Sequence, residues 1–208
     1  TNDSRASHIF FAAELDALLC SGKLKNNKPT YALLSERVPN PQNVTREEAL
    51  HKLASKYFNS HGPATIADFS WWSGLSLTEA KKAAGMCRKQ LQVEKIDSTE
   101  YWFSPNIQPV VRKPVVLLPA FDEFIISYKD RSAIIPANIS KKIISNNGIF
   151  WPVILLNGKI TGVWSRSAGK NGMFIKADFF KKPSAKTSQL LKEALSTYGH
   201  FTGKKISL

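Results

Sequence analysis

A chain of 208 residues with 43% hydrophobic and 22% charged residues can bury one sizeable core or two to three small ones, and no segment approaches the ~18 apolar residues of a membrane-spanning helix. Twenty-nine Lys and Arg against 16 Asp and Glu leave a net charge of +13, a field that attracts nucleic acid, anionic lipid or an acidic protein. The two cysteines, Cys20 and Cys87, exclude a disulfide framework and offer no zinc spacing, so a reduced cytoplasmic setting is expected.

The chain opens TNDSRASHIFF without Met and enters a helix almost at once, which suggests an N-terminally truncated protein. From Ser4, apolar residues at Ile9, Ala12, Ala13, Leu15, Leu18 and Leu19 predict a helix closed by Gly22, with Cys20 on its apolar side. A basic turn and a strand around Tyr31 to Leu34 follow, and Pro39 to Asn43 form a linker. Residues 1–39 read as the back half of a unit.

Thr45 and Glu48 form a capping box, and Ala49, Leu50, Leu53, Ala54, Tyr57 and Phe58 lie on one face of the helix it opens. His61-Gly62-Pro63 stops that helix. In HGPATIADFSWWSGLSLTEAKK, Thr65 stands three residues before Asp68 and Ser76 three before Glu79, which predicts two short helices, 66–72 and 77–89, joined at Gly74. Two strand-like runs around Asp97-Ser98-Thr99 come next. Three helices and then a hairpin is the winged-helix order, with the second and third helices as a helix-turn-helix.

The third of these helices has two faces. Leu77, Ala80, Ala83, Ala84 and Cys87 read as core, while Thr78, Lys81, Lys82, Gly85, Arg88 and Lys89 lie opposite. Gly85 costs a helix about 1 kcal/mol relative to Ala, a cost offset if a phosphate or a backbone must come close; the plain alternative is a solvated charged face.

From Lys113, KPVVLLPAFDEFIISYKDR reads as a strand and then a helix with Phe121, Phe124, Ile125 and Tyr128 on one face and Asp122 and Glu123 in its first turn. Asn157-Gly158 predicts a type I′ hairpin, and Pro152 places its strand at a sheet edge. GKNG at 169–172 leads into MFIKADFF, giving a three-stranded meander with Arg166, Lys170 and Lys176 near one end. A closing helix, 189–198, ends at Gly199. The predicted fold is α+β, with tandem winged-helix units followed by a β-rich C-terminal domain and a closing helix, divided as 1–39, 40–112 and 113–208.

The chemistry-bearing residues form no catalytic set. His8, His51, His61 and His200 are scattered without ligand spacing, adjacent carboxylates such as Asp122-Glu123 point apart on a helix, and no phosphate loop or nucleophile elbow occurs. Trp71-Trp72 can stack on bases or pack; adjacent helix residues cannot both face inward. No metal or other cofactor is expected.

The words YFNSHGPATIADFSWWSGLS, AELDALLCSG with TYALLSERVP, and LLPAFDEFIISYKDR followed by VILLNGKITGVW resemble the winged-helix DNA-binding family that includes the AlkZ-like (YcaQ-type) DNA glycosylases, over nearly the whole chain and in the right order. The resemblance implies duplex DNA binding, with characterised members excising alkylated bases and unhooking crosslinks. It also implies a catalytic Gln-x-Gln or Gln-x-Asp near the N-terminus of the full-length protein, ahead of this region. Gln90-Leu91-Gln92 matches as a string but falls where a helix passes into the wing, so no catalytic role is carried onto it.

On this reading Thr78, Lys81, Lys82, Arg88 and Lys89 meet the groove or phosphates, and Lys129, Arg131, Arg166 and Lys170 add backbone contacts. The partner is double-stranded DNA, damaged or intact, with no membrane and no small-molecule cofactor, in the cytoplasm or on a bacterial nucleoid. Two other classes stay open: a transcriptional regulator reading bases with Thr78 and Lys81, and a protein-interaction module whose charge only keeps it soluble.

Overall fold

The computed structural model describes residues 4–108, 114–169 and 172–208. The chain divides into two compact units, Thr1–Glu48 and Ala49–Leu208. In the first, α1 (Ser4–Leu15) precedes an antiparallel hairpin of β1 (Leu19–Ser21) and β2 (Tyr31–Leu33), and then one helical turn, α2 (Leu34–Arg37). The helix expected to run on toward Gly22 stops at Leu15. Ala17 adopts a left-handed φ of 54° and the Leu18 N–H bonds back to Ala13 O at 2.9 Å, a reversal that moves Leu19 and Cys20 into a strand.

α3 (Arg46–His61) opens with the predicted box: Glu48 N–H donates to Thr45 Oγ1 at 3.2 Å and Thr45 N–H to Glu48 Oε2 at 2.8 Å. It ends at Gly62, where a Cβ would lie 2.5 Å from Phe58 O and 2.7 Å from Phe103 Cα, so only glycine fits. α4 (Ile66–Ser73) carries a complete box in which Asp68 serves as well as the usual Glu. Gly74, at φ 73°, turns the chain, and α5 (Leu77–Met86) starts from Ser76, whose hydroxyl accepts from Glu79 N–H at 3.2 Å. α5 ends three residues before the predicted Lys89, because 87–90 tighten into single turns: Arg88 N–H reaches Gly85 O and Gln90 N–H reaches Cys87 O.

β3 (Gln92–Ile96) and β4 (Thr99–Phe103) pair antiparallel. Asp97 and Ser98 both take positive φ, 46° and 69°, as a two-residue hairpin turn requires. Ala64 forms a bridge with Trp102, which ties the segment before α4 to this hairpin. Phe58, Phe69, Trp102 and the inner alanines of α5 make one core with α3.

The rest of the unit is a sheet covered on both faces. It contains β5 (Val115–Leu118), β6 (Val153–Leu156), β7 (Lys159–Gly169), β8 (Gly172–Phe179) and β9 (Ile206–Ser207) in that spatial order, all antiparallel except β8 with β9. The predicted meander β6-β7-β8 is therefore the middle of five strands. Asn157 and Gly158 have φ of 50° and 80°, the predicted I′ turn. Pro152, expected at an edge, instead precedes an inner strand; its missing N–H is not needed, and its carbonyl accepts from Trp164 N–H.

Between β5 and β6 the chain forms two single turns, α6 (Glu123–Ile126) and α7 (Ser140–Ile143). Ile125, Ile135 and Ile143 from this stretch cover one sheet face with Val153 and Ile160. α8 (Ala185–Thr202) covers the other with Leu191 and Leu195 against Ile154, Trp164 and Ile175. Two expectations change here. The helix with Phe121, Phe124, Ile125 and Tyr128 on one face is only one turn long, with Phe121 at φ 55° before it. The closing helix is 18 residues long and ends at Gly203 in the left-handed conformation, while Gly199 lies inside it, close under Ile206 of the returning β9. The boundary expected at 112/113 falls outside the described residues.

Candidate nucleic-acid interface

The tight α4–α5 turn is stitched by side chains. Ser70 Oγ donates to Leu75 O at 2.8 Å and Ser73 Oγ to Phe69 O, which sets the start of α5 against α4. From there the helical repeat decides everything: Ala80, Ala83, Ala84 and Cys87 are fully buried, and Thr78, Lys81, Lys82, Gly85, Arg88 and Lys89 are all exposed. Leu77, expected in the core, is exposed at the helix start, where no later turn of α5 covers it. A Cβ at Gly85 would meet nothing within 4 Å, so this glycine serves no contact inside the fold. Arg88 is partly spent, its guanidinium lying 5.3 Å from the Trp102 ring centroid, and this cation–π contact joins the helix face to the hairpin.

Behind α4, two sequence words more than fifty residues apart interlock. Asp68, buried at 5% exposure, uses one carboxylate oxygen to cap α4 through Thr65 and the other to accept the backbone N–H groups of Lys129 at 2.8 Å and Asp130 at 3.4 Å. Tyr57 donates its hydroxyl to Ser127 O at 3.0 Å, and Tyr128 to His61 O at 2.8 Å. Burial pushes both phenols above their ordinary range, and the charge of Asp68 adds to it. Trp72 Nε1–H reaches Glu123 Oε2 at 3.2 Å, beside His61 at 3.5 Å, and the Ser127 hydroxyl donates to the same carboxylate. The Ser127 bond is the main reason the Glu123 carboxyl sits below its ordinary value. Rings of Tyr57, His61 and Trp72 pack around this point, Tyr57 stacked on His61 at 4.9 Å.

The remaining basic residues named from sequence fall into different situations. Lys129 is exposed, held through its backbone by Asp68. Arg131 lies between Trp71 and Phe150, 5.2 and 5.4 Å from their ring centroids, donates from Nε to Ile125 O, and has Nη2 buried without a partner. Its burial lowers the guanidinium pKa, with Asp68 opposing that shift. Arg166, on β7, donates to the Tyr198 hydroxyl at 2.6 Å. Lys170 lies outside the described residues. Thus Thr78, Lys81, Lys82, Arg88 and Lys89 share one side of the α5 segment, Lys129 and Arg131 sit at the junction behind α4, and Arg166 belongs to the sheet.

Sequence reading missed Asp68 and Glu123 as junction residues. The only local signal was the capping position of Asp68, which says nothing about partners 61 residues away. Gln92 begins β3, and Gln90 Nε2 lies 3.4 Å from His51 Nε2. Among the described residues no group of three or more His, Cys, Asp or Glu could hold a metal ion, and no helix is long and apolar enough to cross a membrane.

A basic helix face beside a hairpin, locked through a polar and aromatic junction to a two-faced sheet, defines a mixed α/β protein. The particular group is given by comparison: the chain belongs to the AlkZ-like DNA glycosylase family, whose model, described as DNA glycosylase AlkZ-like, matches residues 1–201. Among solved structures it is similar to the Streptomyces sahachiroi DNA glycosylase AlkZ, with a TM-score of 0.72 and 17% identity over 92% of this chain and 55% of that one. At that identity the likeness is one of fold, and the chain spans little more than half of that protein's length. No curated protein matches the chain.

Proposed function

We propose that the chain binds duplex DNA as the DNA-holding part of a base-excision repair protein. In this reading α3, α4 and α5 with the β3–β4 hairpin act as a winged helix, and α1 with β1–β2 is the closing part of a second. The observation that carries it is the division of α5, where one side is fully buried and the other presents Thr78, Lys81, Lys82, Arg88 and Lys89 around an uncovered Gly85. Membership of a glycosylase family supports DNA as the polyanion. Lys129 and Arg131 at the junction and Arg166 on the sheet add phosphate contacts, and Lys170, outside the described residues, is assigned the same role.

Such contacts give affinity without sequence preference. Damage then supplies the specificity, because a lesion lowers the cost of unstacking a base or bending the strand. No excision step is assigned to residues of this chain.

The test is binding to a duplex of arbitrary sequence, with and without one abasic site, across a salt series. The expected result is a steep salt dependence and preference for the damaged duplex, with Lys81→Ala/Lys82→Ala reducing the log–log slope by about 2. Absence of binding at ~50 mM salt, where phosphate contacts are strong, overturns the reading.

A further inference from the structure

Resting on that DNA-binding reading, we infer that Trp71, Arg131, Phe150 and Phe121 form a stacking site for an unstacked nucleobase. The adjacent tryptophans of α4 divide their roles. Trp72 packs on Tyr57 and bonds Glu123, while Trp71 is 54% exposed with its indole fixed by a hydrogen bond from Nε1 to Ile126 O at 3.0 Å. The Arg131 guanidinium lies against Trp71 and continues to Phe150, and Phe121 stands 6.0 Å from Phe150, ring centroid to centroid.

Phe121 gives the second, independent observation. It is 51% exposed and sits at φ 55°, a left-handed conformation that opposes a bulky side chain. Neither burial nor backbone preference explains a phenyl ring held there, and strain of this kind gathers at sites that bind. The surface is a cluster of rings, with one guanidinium between Trp71 and Phe150 and Phe121 tilted 58° to Phe150, and its exposed aromatic area suits a flat base that has left its stack.

Chemistry favours a base over a protein partner. The acids beside the patch, Asp122, Glu123 and Asp130, keep their charge but each is turned to a donor of the fold, whereas the patch itself holds the Arg131 guanidinium and the exposed Lys129 is placed to meet an adjoining phosphate. A DNA strand with one displaced nucleotide supplies both the flat ring and the charge.

The experiment compares a fully paired duplex, the same duplex with a one-nucleotide bulge, and a single strand, using the 208-residue chain. Phe121→Gly removes the ring and suits the left-handed backbone; Trp71→Leu is the second variant, with thermal melting to confirm folding. We expect wild type to prefer bulged and single-stranded DNA, and Phe121→Gly to lose about ten-fold on those two, the scale of one base–aromatic stack, while paired-duplex binding stays within about two-fold. A 2-aminopurine at the bulge should be quenched on binding to wild type and less so with either variant. Lys81→Ala/Lys82→Ala should weaken all three DNAs together, which separates the α5 contact from the stacking site.

Equal binding of bulged and paired duplex by wild type and folded Phe121→Gly overturns the stacking site and leaves the α5 reading standing. A dimeric wild type that becomes monomeric in Phe121→Gly with DNA binding unchanged makes the patch a self-association face, and also overturns it. If wild type binds none of the three DNAs, the DNA reading itself falls and the stacking site falls with it.

Discussion

The segment α1-β1-β2 and the segment α5-β3-β4 have the same order, a helix followed by a two-stranded hairpin, yet their apolar residues end in opposite places. In α5 the inner alanines and Cys87 are fully buried, and Trp102 of the hairpin packs on Phe58 of α3. In α1, Ile9, Phe11 and Leu15 are 68%, 60% and 71% exposed. Among the described residues before Ala49 no side chain is buried, and the stack of Phe10 on Tyr31 at 4.5 Å is the main aromatic contact. A helix and a hairpin each have one apolar side and need a third layer to hide it. α3 and α4 supply that layer for α5-β3-β4.

The widest gap should appear on truncating rings. Phe69→Ala removes a fully buried ring and is expected to cost about 3–5 kcal/mol, whereas Phe11→Ala should stay within about 0.5 kcal/mol; urea melts of both variants decide it. A comparable loss at Phe11 would break the comparison. Next comes Asp68→Ala, which leaves the Thr65 and Lys129 N–H groups without their carboxylate acceptor, while the Thr65 hydroxyl still caps α4. Two N–H donors left unsatisfied together cost roughly 2–6 kcal/mol. Asp68→Asn, which retains one acceptor oxygen, should recover part of that in the same melts.

Gly85→Ala sharpens the contrast in the other direction. The added methyl meets nothing in the fold, so the helix should gain up to about 1 kcal/mol, while DNA affinity falls if the backbone there is approached by a phosphate. Increased stability with unchanged affinity would return Gly85 to the status of a tolerated defect.

The smallest effect expected is pH-dependent. The Glu123 carboxyl is held below its ordinary value, first by the Ser127 hydroxyl, so its contribution is present above the unfolded value of about 4.5 and is lost as pH falls through the lower folded value. The side chain is 62% exposed, and solvent screening keeps the contribution small. Wild type should exceed Glu123→Gln in melting temperature at pH 7, and the difference should shrink by pH 3. A difference that grows on acidification contradicts the assigned sign.

Helix starts, turns and faces were legible because each is set by residues close in sequence. The Thr45, Thr65 and Ser76 caps close within three positions, Asn157-Gly158 needs only its own positive φ, and the burial of Ala80, Ala83 and Ala84 follows from the 3.6-residue repeat. Errors came where local preference was overridden. The apolar period from Ile9 to Leu19 predicts one helix closed by Gly22, but α1 stops at Leu15 where the chain reverses at Ala17. DEFIISYKDR has helical spacing, yet Asp68 and Tyr57 draw its backbone into a connection after one turn.

By itself, then, the sequence determined the order of elements from α3 to β4, the basic side of α5 and the strongly positive charge, since these follow from neighbours in sequence and from composition. Tertiary structure alone decided that Trp71 faces outward beside Arg131 while Trp72 faces Glu123, and that Asp68 serves two segments. Those outcomes depend on partners 51 to 62 positions apart, and no local periodicity encodes which of several compatible surfaces will meet when the chain closes its core.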